Sequence, residues 1–191
     1  MNKFILIFAA IVAFNVSAQE VIMKSGFEDG EQSPLLPNSI HVSSDPLPAF
    51  SPVVGTIGVV VFRGDLFNNT PWEFHLWRLA LTVQSLDGGV FPFRNVRLRF
   101  VPSGHVVHVA TYCGDYSCFG FDQQGMAGMA ALTLQEFQVL ADVADVSPSI
   151  GQRYVFRIVA QSDIYGTTYP LGNSYVVGGV PAAGPIITPR L

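Results

Sequence analysis

From Leu132 to Ile164, LTLQEFQVLADVADVSPSIGQRYVFRIVAQSDI, apolar and polar positions alternate in two runs. Phe137, Val139, Ala141 and Val143 alternate with Gln138, Leu140, Asp142 and Ala144. Tyr154, Phe156, Ile158 and Ala160 alternate with Val155, Arg157, Val159 and Gln161. A period of two places each set on one face of a strand. Pro148 and Gly151 supply turn chemistry between the runs. The stretch therefore predicts a long hairpin, with the other strands completing a sandwich around it.

The same pattern recurs upstream. Val53–Phe62 predicts a strand in which Gly55 and Gly58 mark a bulge or a close approach. Arg63–Trp72 is polar and is expected to connect. Phe74–Gln84 predicts a second strand, with His75, Trp77, Leu79, Leu81 and Val83 assigned to the core and Phe74, Leu76, Arg78, Ala80, Thr82 and Gln84 to the other face. Asn95–Val101 alternates cleanly, with Val96, Leu98 and Phe100 inward and Arg97 and Arg99 outward. His105–Tyr112 and Cys118–Phe121 predict a further hairpin. Gln123–Ala131, rich in small residues, reads as a loop or a single helical turn, and Tyr169–Val177 and Ile186–Thr188 as short closing strands. Frequent turns between seven to nine short strands predict an all-β, antiparallel sandwich.

Composition adds a compartment and removes some partners. Met1–Ala18 has the layout of a cleaved secretory leader, with Lys3 as the basic start, Phe4–Phe14 as the apolar stretch and Val16-Ser17-Ala18 as the cleavage site. No later segment is long and apolar enough to span a bilayer as a helix, so none is expected in the processed chain. Secretion, to the periplasm, the cell surface or beyond, is the expectation. Residues 19–52, with five prolines between Pro34 and Pro52, read as a partly disordered N-terminal segment, and residues 53–191 as the sandwich domain. The net charge is −4 with no basic cluster, which argues against a nucleic-acid partner. Cys113 and Cys118 are the two cysteines, and an oxidising compartment favours a disulfide between them.

The strand bearing LALTV, the NVRLRF strand, the FQVLADV run leading through a Gly-containing turn, and the GGVPAAGPIIT tail together resemble an immunoglobulin-like β-sandwich module of bacterial exported and cell-surface proteins. The resemblance covers roughly Val53–Leu191. The Cys113–Cys118 loop and the GMAGMAA stretch depart from it. It implies an immunoglobulin-like architecture and a structural or adhesive role, and it brings no catalytic residues.

Candidate chemistry is sparse. Arg63-Gly64-Asp65 spells an adhesion tripeptide on an expected loop, and Asn68-Asn69-Thr70 matches a glycosylation acceptor that matters only in a eukaryotic secretory pathway. His105 and His108 stand at an odd spacing, which puts them on opposite faces of a strand, with His75 on another strand. Asp142, Asp145 and Asp163 flank the expected hairpin, where loop carboxylates could hold Ca²⁺; ordinary solvated turn residues are the simpler reading. Trp72 and Tyr116 fall on connections, where aromatic rings suit sugar binding. No nucleophile-elbow motif occurs, so no catalytic residues are expected. The expected function is a secreted bacterial sandwich protein with a structural, binding or adhesive role and no enzymatic activity. A carbohydrate-binding module using Trp72 and Tyr116 is the alternative, followed by a secreted hydrolase.

Overall fold

The computed structural model describes residues 35–45, 47–102, 106–112, 117–145 and 149–191. The leader-like stretch therefore lies outside the described residues, as do His105, Cys113 and Tyr116. The described compact unit begins at Leu35.

Among the described residues the chain is all β and forms two sheets. The first has the order β11-β1-β2-β8-β4-β5, built from β1 (Ser39–Ser44), β2 (Val59–Asn69), β4 (Phe93–Val101), β5 (Val106–Val109), β8 (Leu134–Val143) and β11 (Val176–Gly178). The second has the order β12-β9-β3-β7-β6, built from β3 (Glu73–Ser85), β6 (Thr111–Tyr112), β7 (Cys118–Met129), β9 (Tyr154–Ile158) and β12 (Ala182–Ala183). A further strand, β10 (Ile164–Tyr169), pairs with β3 beyond the end of β9. Every pairing is antiparallel except β1 with β11.

The inner faces of both sheets form one apolar core. Phe137, Val139, Ala141 and Val143 on β8, and Val96, Leu98 and Phe100 on β4, are buried as their alternation requires. Tyr154, Phe156 and Ile158 face them from β9. Phe93 of β4 meets Phe156 of β9 edge-on at 5.0 Å, an aromatic contact across the gap between the sheets.

Several expectations are corrected. β8 and β9 are not a hairpin: β8 pairs with β2 and β4, whereas β9 pairs with β3 and β12. The turn chemistry after Val143 carries the chain from one sheet to the other. Arg63–Trp72 is no connection, because β2 runs on to Asn69. The boundary at residue 53 is too late, because Ser39–Ser44 pairs along β2 and buries Ile40 and Val42. His105–Tyr112 is not one strand: β5 joins the first sheet, β6 joins the second, and Ala110 makes the crossing. Gln123–Met129 continues β7 and is neither loop nor helix.

Candidate functional site: an aromatic face on the second sheet

The strand β3 starts with one phase and ends with the other. Phe74 and Leu76 are buried, and so are Leu79, Leu81 and Val83. A strict period of two cannot bury both sets. The register shows the reason. Tyr165 pairs with Arg78 and Gly166 pairs with Leu76, so Trp77 is an extra residue on β3. A bulge re-aims side chains, and here it brings Trp77 and Arg78 to the outer face together. The core assignment is thus right for Leu79, Leu81 and Val83 and wrong for His75 and Trp77. On the other flank the register with β7 shifts at the same place. Leu76 pairs with Ala127 and Arg78 with Asp122, so Gln123, Gln124, Gly125 and Met126 stand against Trp77 alone.

The outward Trp77 is met edge-on by Tyr165 of β10, with ring centroids 6.0 Å apart. Tyr165, Thr167 and Tyr169 alternate with the buried Ile164, Gly166 and Thr168, so all three face outward. Tyr165 is 51% and Tyr169 65% exposed. Directly opposite on β3, His75 pairs with Thr167 and Glu73 with Tyr169. His75 Nε2 lies 3.0 Å from a Glu73 carboxylate oxygen. Arg78 Nε lies 3.7 Å from Asp122 on β7. The outer face of the second sheet is therefore a line of three aromatic rings flanked by hydroxyl, imidazole and internally paired ionic groups.

Two details hold this face in place. The Tyr175 hydroxyl accepts from the Gly166 N–H and donates to the Gly166 carbonyl, both at 3.0 Å, which pins β10 opposite the β3 bulge. A Cβ at Gly128 would come within 3.4 Å of Glu73 Oε1, so glycine there leaves the Glu73–His75 pair uncovered on the β7 side.

The outer face of the first sheet is different. Arg63 bridges Glu136 at 2.7 Å and Asp45 at 3.1 Å. Arg97 binds Asp142 at 2.5 Å, and Arg99 binds Gln138. These groups satisfy one another across the strands, and among the described residues no exposed aromatic row accompanies them.

Among the described residues, those singled out from the sequence do not converge. Trp72 is half-buried at the start of β3, with its carbonyl accepting from Asn68 Nδ2 and Thr70 Oγ1. Burial alone would raise the Asp142 pKa, but hydrogen bonds from Asn95, the Gly58 N–H and Arg97, with the Arg97 charge, hold it below its ordinary value. Asp163 accepts from the Val159 and Ala160 N–H groups. Asp145 is exposed beyond β8. Among the described residues no group of three His, Cys, Asp or Glu side chains is placed to hold a metal ion. His75 is on the second sheet and His108 on the first, and His105 lies outside the described residues. Arg63-Gly64-Asp65 lies within β2 rather than on a loop, and Asn68 is fully buried. None of the described cysteines is free, and Cys118 opens β7; its expected pairing with Cys113 falls outside the described residues.

The aromatic face was readable in part. Tyr165-Gly166-Thr167-Thr168-Tyr169 alternates at period two, and that is the signal that could have identified β10 and its row of outward rings. Nothing local signals the Trp77 bulge.

No family model matches the sequence, and no curated protein matches it. A solved structure of AvmM, described as catalysing macrocyclization in alchivemycin A biosynthesis, matches over 78% of this chain and 85% of that one, at 10% identity and a TM-score of 0.40. A likeness at that level carries no argument about this chain. Among the described residues no helix is long and apolar enough to cross a membrane.

Proposed function

We propose that this chain is an exported, non-catalytic β-sandwich protein that binds carbohydrate on the outer face of its second sheet. The observation that carries the reading is the Trp77–Tyr165 pair continued by Tyr169 along the same exposed face. Aromatic faces stack on the C–H faces of sugar rings, and sugar hydroxyls need donors and acceptors close by. Thr167, His75 and Glu73 stand beside the rings to supply them. The ligand residues are thus moved from Trp72 and Tyr116 to Trp77, Tyr165 and Tyr169, while the binding role stays as the sequence suggested.

The leader-like Met1–Ala18 supports export to the periplasm, the cell surface or the medium. The sequence has no nucleophile-elbow motif, which supports binding over hydrolase chemistry of that type. Within the sandwich class, β2 pairs with β8 and β3 with β7, one pair nested inside the other in sequence. That nesting favours a jelly-roll type of connection over the immunoglobulin-like one suggested by the strand motifs.

The test is a glycan-array and thermal-shift screen of the purified protein beside Trp77→Ala, Tyr165→Ala and Trp72→Ala. The expected result is a shift with one sugar class that both Trp77→Ala and Tyr165→Ala abolish and Trp72→Ala keeps. No shift with any glycan, or a shift indifferent to Trp77 and Tyr165, overturns the reading.

A further inference from the structure

We infer that the face takes an internal stretch of a linear, uncharged glycan chain lying along β10, rather than a single terminal sugar. The inference rests on the carbohydrate reading and concerns which part of a glycan is held.

The spacing of the rings carries it. Tyr165 and Tyr169 are four residues apart on one strand and point to the same side. At the rise of an extended strand their rings stand about 13 Å apart. That is longer than any single pyranose ring, so one sugar cannot stack on both. A chain running along β10 can stack one unit at the Trp77–Tyr165 station and a later unit at Tyr169. Thr167 and His75 form a register pair midway between the two stations, where the intervening unit would present its hydroxyls. The face offers stacking positions in a row, and the groups between them are polar.

The charge pattern sets the class of chain. Glu73 is matched by His75 at 3.0 Å and Arg78 faces Asp122 at 3.7 Å. Beside the aromatic row a polyanionic chain lying along β10 therefore finds no uncompensated guanidinium. A neutral polysaccharide asks only for stacking and hydroxyl hydrogen bonds, which is what the row supplies.

The experiment is calorimetry of the full-length chain against neutral oligosaccharide series of increasing length (gluco-, xylo-, manno- and chito-oligosaccharides), with the matching methyl monosaccharides. The inference expects affinity to climb from two sugar units to four or more and then level. Tyr169→Ala, at a largely exposed position, should weaken the long members roughly five- to tenfold and leave the disaccharide unchanged. Trp77→Ala should weaken every member. A monosaccharide bound as tightly as the hexamer, or a Tyr169→Ala loss that is equal at all lengths, overturns the inference and leaves the carbohydrate reading standing. Binding of none of this neutral series overturns the inference, and the carbohydrate reading then stands or falls on the glycan array.

Discussion

Asp65 sits half-buried on β2, directly opposite Glu136 on β8. Burial raises its carboxyl above the ordinary value, and the nearby Glu136 and Asp45 charges push the same way against Arg63. A raised pKa means that the folded state keeps a proton that the unfolded chain has already lost. The contribution of this group to stability is full below pH 3.8 and is lost as pH rises through the folded value. At neutral pH the ionised Asp65 therefore works against the fold. Asp65→Asn should raise the melting temperature at pH 7, and the gain should vanish near pH 3. Thermal melts at the two pH values check this, and a loss at pH 7 would contradict it. Asn68 shows the opposite balance. It is fully buried, donates to the carbonyls of Trp72, Met129 and Ala130, and accepts from the N–H and hydroxyl of Thr70. Asn68→Ala removes all of these bonds at once and leaves only the Thr70 hydroxyl on the Trp72 carbonyl, at a cost of about 2–3 kcal/mol in urea unfolding. The same tripeptide that reads as a glycosylation acceptor is, in the fold, the knot between β2, the start of β3 and the end of β7.

At the scale of elements, the strand β10 shows how the fold makes the candidate site. A Cβ at Gly166 would collide with the His75 carbonyl oxygen and come within 2.5 Å of the Phe74 ring. Backbone cannot yield there as a flexible side chain can. Gly166→Ala should cost at least about 2 kcal/mol and should abolish glycan binding by displacing Tyr165 and Tyr169 from beside β3. Gly128→Ala is the matched control on the other flank, where the new methyl meets only side-chain atoms, Glu73 Oε1 at 3.4 Å and the His75 ring at 3.8 Å. Its effect on stability should stay within about 0.5 kcal/mol. Urea curves for the pair measure both, and equal costs would refute the steric account. The elements also show what the sequence could reveal. The alternation of Val96, Leu98 and Phe100 with Arg97 and Arg99 reads directly as β4, because no bulge falls between Arg97 and Val101 against β8. The phase of β3 could not be read through, because the extra residue at Trp77 is a matter of register with β7 and β10 and leaves no local mark. β1 was hidden by flanking prolines, although Ile40 and Val42 stand at strand spacing.

The whole molecule is ordered by pairings that period alone cannot supply. Alternation identified β8 and β9 and their inward faces, yet it could not assign them to different sheets, because sheet membership depends on partners distant in sequence. The chain's end illustrates the same point. Ile186 and Thr188 bond with Phe50, and Arg190 bonds with Pro52 and Val54, while Ile187 exchanges both backbone bonds with Tyr154 and Pro189 accepts from Gly151. The tail thus stitches the approach to β2, in the first sheet, to the start of β9, in the second. Ile187 fills the seam and exposes none of its surface, whereas the adjacent Ile186 is 40% exposed. If the tail is part of the core rather than a trailing end, the two neighbouring isoleucines must differ sharply. Ile187→Ala removes a fully buried side chain and should cost about 2–4 kcal/mol. Ile186→Ala keeps every backbone bond and loses mostly solvated surface, so its cost should remain below about 1 kcal/mol. A chain ending at Pro185 loses the backbone bonds as well and should unfold at lower urea than Ile187→Ala. The order wild type, Ile186→Ala, Ile187→Ala, truncation in urea midpoint is the expected result. Equal midpoints for the two alanine variants would show that the tail closes nothing, and the sandwich would then owe its closure to the apolar core between the sheets, where Phe93 meets Tyr154 and Phe156.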